Sequence, residues 1–152
     1  MLCTGNLCRS PIAEALFRHY LHQAGEDAQV LSRGLWACEG EPPHRNVLTI
    51  AAREYVEIDE RRRATTVARA DVVCATLVLT MDRPQRFELI RRYPQASGKV
   101  FLLDPQAEVP DPLGQSEQVF ETVWHQIDRG VRDWLGRLRK MDLLRRSGGV
   151  TA

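Results

Sequence analysis

Lysine is nearly absent from this chain of 152 residues, and neither sign of charge is in excess. Lys99 and Lys140 are the only lysines, and 21 basic against 20 acidic residues leave a formal net charge of +1. This balance gives no general electrostatic attraction for nucleic acid or for an anionic membrane surface. We therefore expect no nucleic-acid partner.

Long apolar runs and closely paired cysteines are also missing. The longest apolar-leaning run, VVCATLVLTM, is too short to cross a bilayer, and the N-terminus does not resemble a signal peptide, so we expect no membrane insertion. No CxxC pair is present, which argues against a structural zinc site or a disulfide framework. We expect a cytoplasmic protein without metal or cofactor that uses at least one thiol. Cys38 and Cys74 are interpreted as small packing residues.

Short apolar runs alternate with amphipathic segments along the chain. Strands are predicted at AQVLSRG, centred on Val30 and Leu31, at TLVLTM and at KVFLL. Helices are predicted over SPIAEALFRHYLHQA, around residues 47–55, over RPQRFELIRRYP, and from Ser116 onward, with Ser10 and Asp82 as N-caps. The alternation predicts an α/β fold with a parallel sheet flanked by helices on both faces. We expect one domain over residues 1–142 and a disordered tail over 143–152.

The N-terminal stretch CTGNLCRS, from Cys3 to Ser10, has the composition of an oxyanion-binding loop. A loop that leads into a helix N-terminus can surround a tetrahedral anion with backbone N–H groups. Gly5 allows close approach of the backbone, and Asn6 tolerates left-handed dihedral angles. Arg9 can bind two oxygens of the anion. The predicted phosphate-binding loop therefore comprises Thr4, Gly5, Asn6, Leu7, Cys8 and Arg9.

A cysteine at the start of such a loop predicts nucleophilic catalysis on phosphorus. The loop N–H groups, the helix dipole and Arg9 favour the thiolate of Cys3, to which Ser10 can donate a hydrogen bond. The loop VPDPLG supplies Asp111, which could protonate the leaving oxygen and then activate water. The predicted scheme is two in-line displacements through a phosphocysteine, without a metal.

Several segments together resemble the low-molecular-weight protein tyrosine phosphatases. They are CTGNLCRSPIAEALFRH, LSRG with GEPPHR after it, LVLTMDR, GKVFLL and VPDPLG, and the resemblance extends to about Leu138. It implies a four-stranded parallel sheet in the order 2-1-3-4. It also implies Cys3 as nucleophile, Arg9 as phosphate binder and Asp111 as general acid.

The resemblance further implies supporting roles and a class of partner. Asn6 and Ser10 would hold the shape of the loop. Two interpretations of Cys8 stay open, a buried packing residue or a thiol that pairs reversibly with Cys3 and guards it from over-oxidation. The substrate would be a phosphotyrosine protein. In bacterial relatives this partner is often a tyrosine kinase that governs exopolysaccharide or capsule export.

The chain departs from this family at four places. Only Met1 and Leu2 precede Cys3, although strands usually run to about five or six residues, so the first strand is truncated and the true start codon is expected upstream. Leu113 stands where many tyrosine-specific members carry an aromatic residue, and Trp36 could supply the opposite wall of the substrate site. Departures also occur at Arg62, where many members place a His that braces the loop Asn, and at Cys38, a customary aromatic position.

Three alternative functions remain open. Phosphoarginine phosphatases of this fold carry Thr at the position of Leu7, so Leu7 favours tyrosine. Arsenate reductases need two further cysteines a few residues apart, whereas Cys38 and Cys74 are separated by 36 positions. If the short N-terminus is genuine, the chain could be an inactive phosphate-binding or interaction module.

Overall fold

The structure is a computed structural model that describes residues 1–146. Its helices are α1 Arg9–Ala24, α2 Arg45–Arg53, α3 Arg69–Cys74, α4 Arg83–Arg92 and α5 Glu117–Lys140, with a 3-10 helix at Pro94–Lys99. Its strands are β1 Leu2–Cys3, β2 Glu26–Asp27, β3 Arg33–Gly34, β4 Val78–Thr80, β5 Val100–Leu102 and β6 Arg145–Arg146. No helix within residues 1–146 is long and apolar enough to span a membrane.

Four of these strands form a parallel sheet in the order β3-β1-β4-β5. Numbered along the chain within this sheet alone, the order is 2-1-3-4, so the predicted topology is confirmed. Helices connect successive strands and cover both faces, as parallel pairing requires. The carboxyl ends of β1 and β4 therefore meet at one edge, where the CTGNLCRS loop begins.

The two-residue strand β1 lies at the centre of this sheet. Leu2 pairs with Arg33 on one side and with Thr80 on the other, and it is buried. Backbone pairing continues past β1 into the loop, because the N–H groups of Leu35 and Trp36 donate to the carbonyls of Cys3 and Thr4 at 2.9 and 3.0 Å. The hypothesis of an upstream start codon stays a prediction.

The core consists of two hydrophobic clusters, one on each face of the sheet. On one face α5 packs against α1 and α2, and α5 is buried at Val123, Ile127, Val131 and Leu135, which share one apolar face of the helix. The second cluster joins α3, α4 and the sheet through Leu2, Val72, Val78, Leu89 and Val100. Side chains of the CTGNLCRS loop and of α1 thus pack into the first of these clusters.

Two predictions about local structure are wrong in detail. The second strand of the sheet is Arg33–Gly34 rather than a strand centred on Val30 and Leu31, since only these two residues pair with the short β1. Helix α1 begins at Arg9 with Cys8 as its N-cap, so Ser10 lies inside the helix and its hydroxyl is free for other contacts. The short helix α3 was not predicted. The predicted cap at Asp82 is confirmed, since its Oδ1 accepts from the N–H of Gln85 at 2.8 Å.

Arg145 and Arg146 form strand β6. Arg145–Arg146 pair antiparallel with β2, beside the ion pair that Arg139 makes with Glu26. The prediction of disorder is therefore wrong for these two residues, because contacts distant in sequence hold them. Residues 147–152 of the predicted tail lie outside the described residues.

Candidate active site

The CTGNLCRS loop arranges its backbone around the Cys3 thiol. Asn6 adopts a left-handed conformation with φ 59°, as its residue type predicted, and its N–H lies 3.3 Å from Cys3 Sγ. The hydroxyl oxygen of Ser10 lies 2.9 Å from the same sulfur. Cys3 is 3% exposed. The thiol therefore lies at the bottom of the loop with a hydroxyl and a backbone donor beside it.

Asn6 is completely buried and ties the loop to two other segments. Its Nδ2 donates to Ser10 Oγ at 2.9 Å and to Ser32 Oγ at 3.1 Å. Its Oδ1 accepts from the backbone N–H of Thr65 at 3.0 Å. Both the nitrogen and the oxygen of the side-chain amide are thus hydrogen-bonded, which fixes the orientation of the loop.

Arg62 extends this network with a charged group. Its Nη2 donates to Ser32 Oγ at 2.7 Å and lies 3.4 Å from Asn6 Oδ1 and 3.5 Å from Glu14 Oε2. Ser32 in turn donates to the Glu14 carboxylate. Burial lowers the pKa of Arg62, and the facing carboxylate of Glu14 opposes that shift. The structure therefore places Arg62 against the loop Asn, where the sequence comparison with the family expects a His.

Arg9 is held rigidly from the side opposite Asn6. Its side chain is 5% exposed, and Nη1 donates to the Val109 carbonyl at 2.9 Å and to Asp82 Oδ2 at 3.2 Å. Nη2 lies 3.7 Å from Asp111 Oδ2. These contacts orient the guanidinium before any anion binds, which reduces the entropy lost on binding.

Asp111 lies on the exposed side of this site. Its side chain is 53% exposed, and its Oδ1 accepts from the N–H of Leu113 at 3.1 Å. The structure thus brings Asp111 to Cys3, Arg9 and Ser10, which precede it by about a hundred residues in the sequence. A buried thiol, an oriented guanidinium and an accessible carboxyl are the groups that transfer of a phosphoryl group to sulfur requires.

Comparison with known proteins agrees with this geometry. Residues 1–143 match a family model described as low molecular weight phosphotyrosine protein phosphatase. The chain belongs to this family. A probable low molecular weight protein-tyrosine-phosphatase, EpsP of Ralstonia nicotianae, is 34% identical over 147 residues, covering 93% of this chain and 95% of the relative. Membership confirms the enzyme class, a cysteine-dependent protein-tyrosine phosphatase and hence a hydrolase.

Solved structures of similar proteins confirm the fold. The low molecular weight protein tyrosine phosphatase from T. tengcongensis superposes with a TM-score of 0.85 at 29% identity, covering 90% of this chain and 96% of that one. The YwlE arginine phosphatase from Geobacillus stearothermophilus gives a TM-score of 0.84 at 25% identity, covering 93% and 92%. The same fold thus carries more than one phosphatase specificity.

Two apolar side chains predicted to contact substrate are exposed in this phosphatase. Trp36 is 59% exposed and Leu113 is 49% exposed. The guanidinium of Arg92 stacks 4.6 Å from the centre of the Trp36 ring, and its Nη1 donates to the Leu35 carbonyl at 2.9 Å. Trp36 also joins the phosphate-binding loop through its backbone N–H. Arg92, which the sequence did not single out, therefore orients this tryptophan.

The cysteines of the phosphatase differ in exposure. Cys8 is buried, and the pKa of its thiol is raised to about 12. Burial is the main cause of this shift, and the nearby Cys3 is the second. Cys38 and Cys74 are exposed free thiols, so their interpretation as packing residues is wrong. Cys38 contacts the phosphate-binding loop, since its Sγ lies 3.6 Å from the position of a β-carbon on Gly5, and its N–H donates to the Gly5 carbonyl.

Sequence reasoning missed several supporting residues of this site. Asp82 was read only as a helix cap, although its second oxygen binds Arg9. Gln85 donates to Thr4 Oγ1 at 3.1 Å and accepts from the Met81 N–H. Gly34 leaves room for the Thr4 carbonyl, which would lie 2.7 Å from an added β-carbon. The only sequence signal for Asp82 and Gln85 is their position just after a buried strand.

Metal-binding residue types are scattered rather than grouped. Among the side chains of residues 1–146, no three His, Cys, Asp or Glu residues cluster in a way that could hold a metal ion.

Proposed function

We propose that Cys3, Arg9, Asp111 and Ser10 hydrolyse phosphotyrosine in proteins through a phosphocysteine. The observation that carries the proposal is the placement of the Cys3 thiol at the bottom of the CTGNLCRS loop, with Arg9 and Asp111 3.7 Å apart beside it. The loop N–H groups of residues 4–9 and Arg9 bind the phosphate oxygens.

In the first displacement the Cys3 thiolate attacks phosphorus opposite the tyrosyl oxygen. The S–P bond forms as the P–O bond breaks, and the proton of Asp111 passes to the departing phenolic oxygen. Arg9 and the loop N–H groups stabilise the negative charge on the three remaining oxygens. The exposed position of Asp111 suits this role, because the leaving group departs toward solvent.

In the second displacement water attacks the phosphocysteine. The Asp111 carboxylate takes a proton from the water as the water oxygen binds phosphorus. The S–P bond breaks, its electron pair returns to Cys3, and inorganic phosphate leaves. The hydroxyl of Ser10, 2.9 Å from the sulfur, stabilises the thiolate as a leaving group here and as a nucleophile in the first step.

Trp36 and Leu113 are the residues proposed to contact the tyrosyl ring. Both are exposed apolar groups, and the indole offers a flat face on which an aromatic ring can stack. Leu113 follows Asp111 closely and would pack against the ring from the other side. This assignment favours aryl over alkyl phosphate esters.

The natural substrate is proposed to be a phosphotyrosine protein, with a bacterial tyrosine kinase as the leading candidate. Similarity to EpsP, a probable protein-tyrosine-phosphatase, supports the phosphotyrosine part of this proposal. A cytoplasmic location is proposed because all four cysteines are free thiols, which a reducing compartment maintains.

A phosphoarginine substrate is the second candidate, and the similarity to a solved arginine phosphatase favours it. Leu7 argues against it, since the apolar side chain stands where phosphoarginine phosphatases carry Thr. Reversible pairing of Cys8 with Cys3 remains part of the proposal. The buried, protonated state of the Cys8 thiol makes such pairing slow at neutral pH.

Hydrolysis of an aryl phosphate in the presence of a chelator tests the proposal directly. We expect turnover that vanadate inhibits and that Cys3→Ser abolishes. Turnover that survives Cys3→Ser would overturn the assignment of the nucleophile. A matched pair of peptides carrying phosphotyrosine or phosphoarginine then separates the two candidates, and faster hydrolysis of the phosphoarginine peptide would overturn the choice of tyrosine.

A further inference from the structure

Two adjoining grooves border β5, the edge strand of the sheet. One lies between α4, β5 and α5 with a volume of about 600 Å³, and the other follows α5 to its C-terminal end. Phe101, Trp134 and Arg137 line both, so the two share a wall. We call this surface the β5 groove. One face of α5 and its C-terminal end contributes four residues at helical spacing, namely Trp134, Arg137, Leu138 and Met141. From the first to the last of them this face is about 10 Å long.

The β5 groove exposes large apolar side chains. Phe87 is 71% exposed, Met141 54% and Phe101 42%, and Phe101 packs against the Trp134 ring at 5.6 Å between centroids. Apolar groups that remain exposed side by side on a soluble domain mark interaction surfaces. None of them belongs to the phosphate-binding loop or to the residues that support it.

Every charged side chain that lines the β5 groove within residues 1–146 is basic. These side chains are Arg83, Arg86, Lys99, Arg137 and Lys140. The chain as a whole carries almost equal numbers of acidic and basic residues, so this surface is strongly segregated in charge. A partner with acidic side chains at its rim and apolar side chains at its centre complements it.

Arg137 lines both parts of the β5 groove and is placed to bind such a partner. It stacks over the Trp134 ring at 5.0 Å, and in residues 1–146 it forms no ion pair with a carboxylate. By contrast, Arg86 donates to the Val100 carbonyl and Lys99 to the carbonyls of α3. Arg137 therefore keeps its charge available to a ligand.

The edge of β5 is closed to an added strand. Arg86 Nε donates to the Val100 carbonyl at 2.9 Å, and Trp134 Nε1 donates to the Leu102 carbonyl at 3.2 Å. Side chains that cap edge carbonyls prevent pairing with another chain. A partner would therefore be recognised through its side chains and not through backbone pairing.

The β5 groove begins next to the catalytic site. Arg83, at one end of the groove, directly follows Asp82, which binds Arg9. We propose that the β5 groove docks an acidic segment with aromatic or aliphatic side chains, carried by the phosphoprotein substrate outside its phosphorylated residue. This inference rests on the proposed function for its choice of partner.

Fluorescence anisotropy with the whole chain tests the docking without any phosphate. The probe is a labelled peptide of about ten residues that alternates Asp or Glu with Leu or Phe. We expect wild type to bind it, Arg137→Glu to weaken binding by about tenfold or more, and Arg69→Glu to leave binding unchanged. Arg69 is an exposed residue of α3 outside the groove. Absence of binding to wild type, or an equal loss in Arg69→Glu, would overturn the proposal.

A second pair of variants tests the apolar part of the groove. Phe87→Ser should weaken binding of the same probe, whereas Val73→Ser, which changes an exposed residue on α3, should not. Circular dichroism confirms that both variants fold. Binding of phosphatidylserine vesicles without binding of the peptide would identify a membrane surface instead and would overturn the proposal.

Hydrolysis separates failure of the docking from failure of the proposed function. Arg137→Glu should hydrolyse a small aryl phosphate at the wild-type rate. Wild type should show a higher kcat/KM for a phosphotyrosine peptide joined to the acidic segment than for the peptide alone, and Arg137→Glu should lose that difference. Normal aryl phosphate hydrolysis by wild type without that advantage would overturn the docking alone. Peptide binding without hydrolysis would overturn the proposed function and the assignment of the segment to a substrate.

Discussion

Arg62 donates a hydrogen bond from Nη2 to the hydroxyl oxygen of Ser32 at 2.7 Å, beside Asn6 of the phosphate-binding loop. Removing it leaves Ser32 Oγ and Asn6 Oδ1 without this charged donor, while Glu14 keeps its ion pair with Arg18. We expect Arg62→Ala to lower kcat about tenfold or more with a much smaller change in KM, since a hydrogen bond to a charged group contributes about 1.5 to 3 kcal/mol. Steady-state kinetics on an aryl phosphate measure both constants.

The neighbouring Arg61 is a matched control for this prediction. Its side chain is 91% exposed and pairs only with Asp59 in the described part of the chain, so Arg61→Ala should leave kcat unchanged. Arg62→His should recover part of the lost activity, because an imidazole can donate to the same oxygen. Unchanged kcat in Arg62→Ala would show that the loop keeps its shape without the guanidinium.

Replacement of Asp111 should affect substrates according to their leaving groups. Asp111→Asn keeps the size of the side chain and the contact with the Leu113 N–H but removes the proton. Esters of weakly acidic phenols should slow by about 10² or more, and esters of strongly acidic phenols much less. A plot of log kcat/KM against leaving-group pKa is the measurement. Glu108→Gln in the same loop is the control, and an equal slowing of all esters would remove Asp111 as the acid.

The thiol of Cys8 should resist alkylation at neutral pH. Burial is the largest cause that raises the pKa of this thiol and is kept when Cys3 is replaced, so its reactive thiolate stays scarce at neutral pH. In a Cys3→Ser background, iodoacetamide should modify the exposed Cys38 and Cys74 first, as mass spectrometry of each peptide will show. Denaturation should remove the difference. Equal rates in the folded protein would contradict the buried, protonated state of Cys8.

Trp36 should influence the binding of aryl esters selectively. Trp36→Ala removes the exposed indole, and we expect KM for an aryl phosphate to rise about tenfold, the equivalent of about 1.4 kcal/mol, with kcat nearly unchanged. An alkyl phosphate should show no such change. Arg92→Lys loses the guanidinium plane that stacks on the ring and should produce a smaller rise. A parallel rise for both esters would exclude stacking as the role of Trp36.

Gly34 should tolerate no side chain. A β-carbon there would lie 2.7 Å from the Thr4 carbonyl and 3.0 Å from Ala37, so Gly34→Ala must displace the start of the phosphate-binding loop. We expect a loss of about 1 to 3 kcal/mol in the free energy of unfolding together with lower kcat. Gly136→Ala in α5 is the control, since open space surrounds its β-carbon position, and it should stabilise the protein slightly. Urea denaturation measures both, and unaltered stability in Gly34→Ala would contradict the close packing.

The sequence by itself determined the features that depend on neighbouring residues. The spacing from Cys3 to Arg9 predicts an anion-binding loop because consecutive residues must share that loop, and apolar periodicity predicts α5 because a helix repeats its faces at short intervals. The left-handed conformation of Asn6 likewise follows from a local property, because an Asn residue tolerates a positive φ. The sheet order came from resemblance to the family rather than from these local patterns.

Only the tertiary structure decided which distant residues meet. Asp82 lies against Arg9, and Arg62 against Ser32, across 73 and 30 positions of the chain. The exposure of Cys38 and the pairing of Arg145–Arg146 with β2 are also consequences of chain packing. The physical reason is that side-chain partners separated by many residues are chosen by how the helices and the sheet pack, and a single sequence carries no local pattern that reports this.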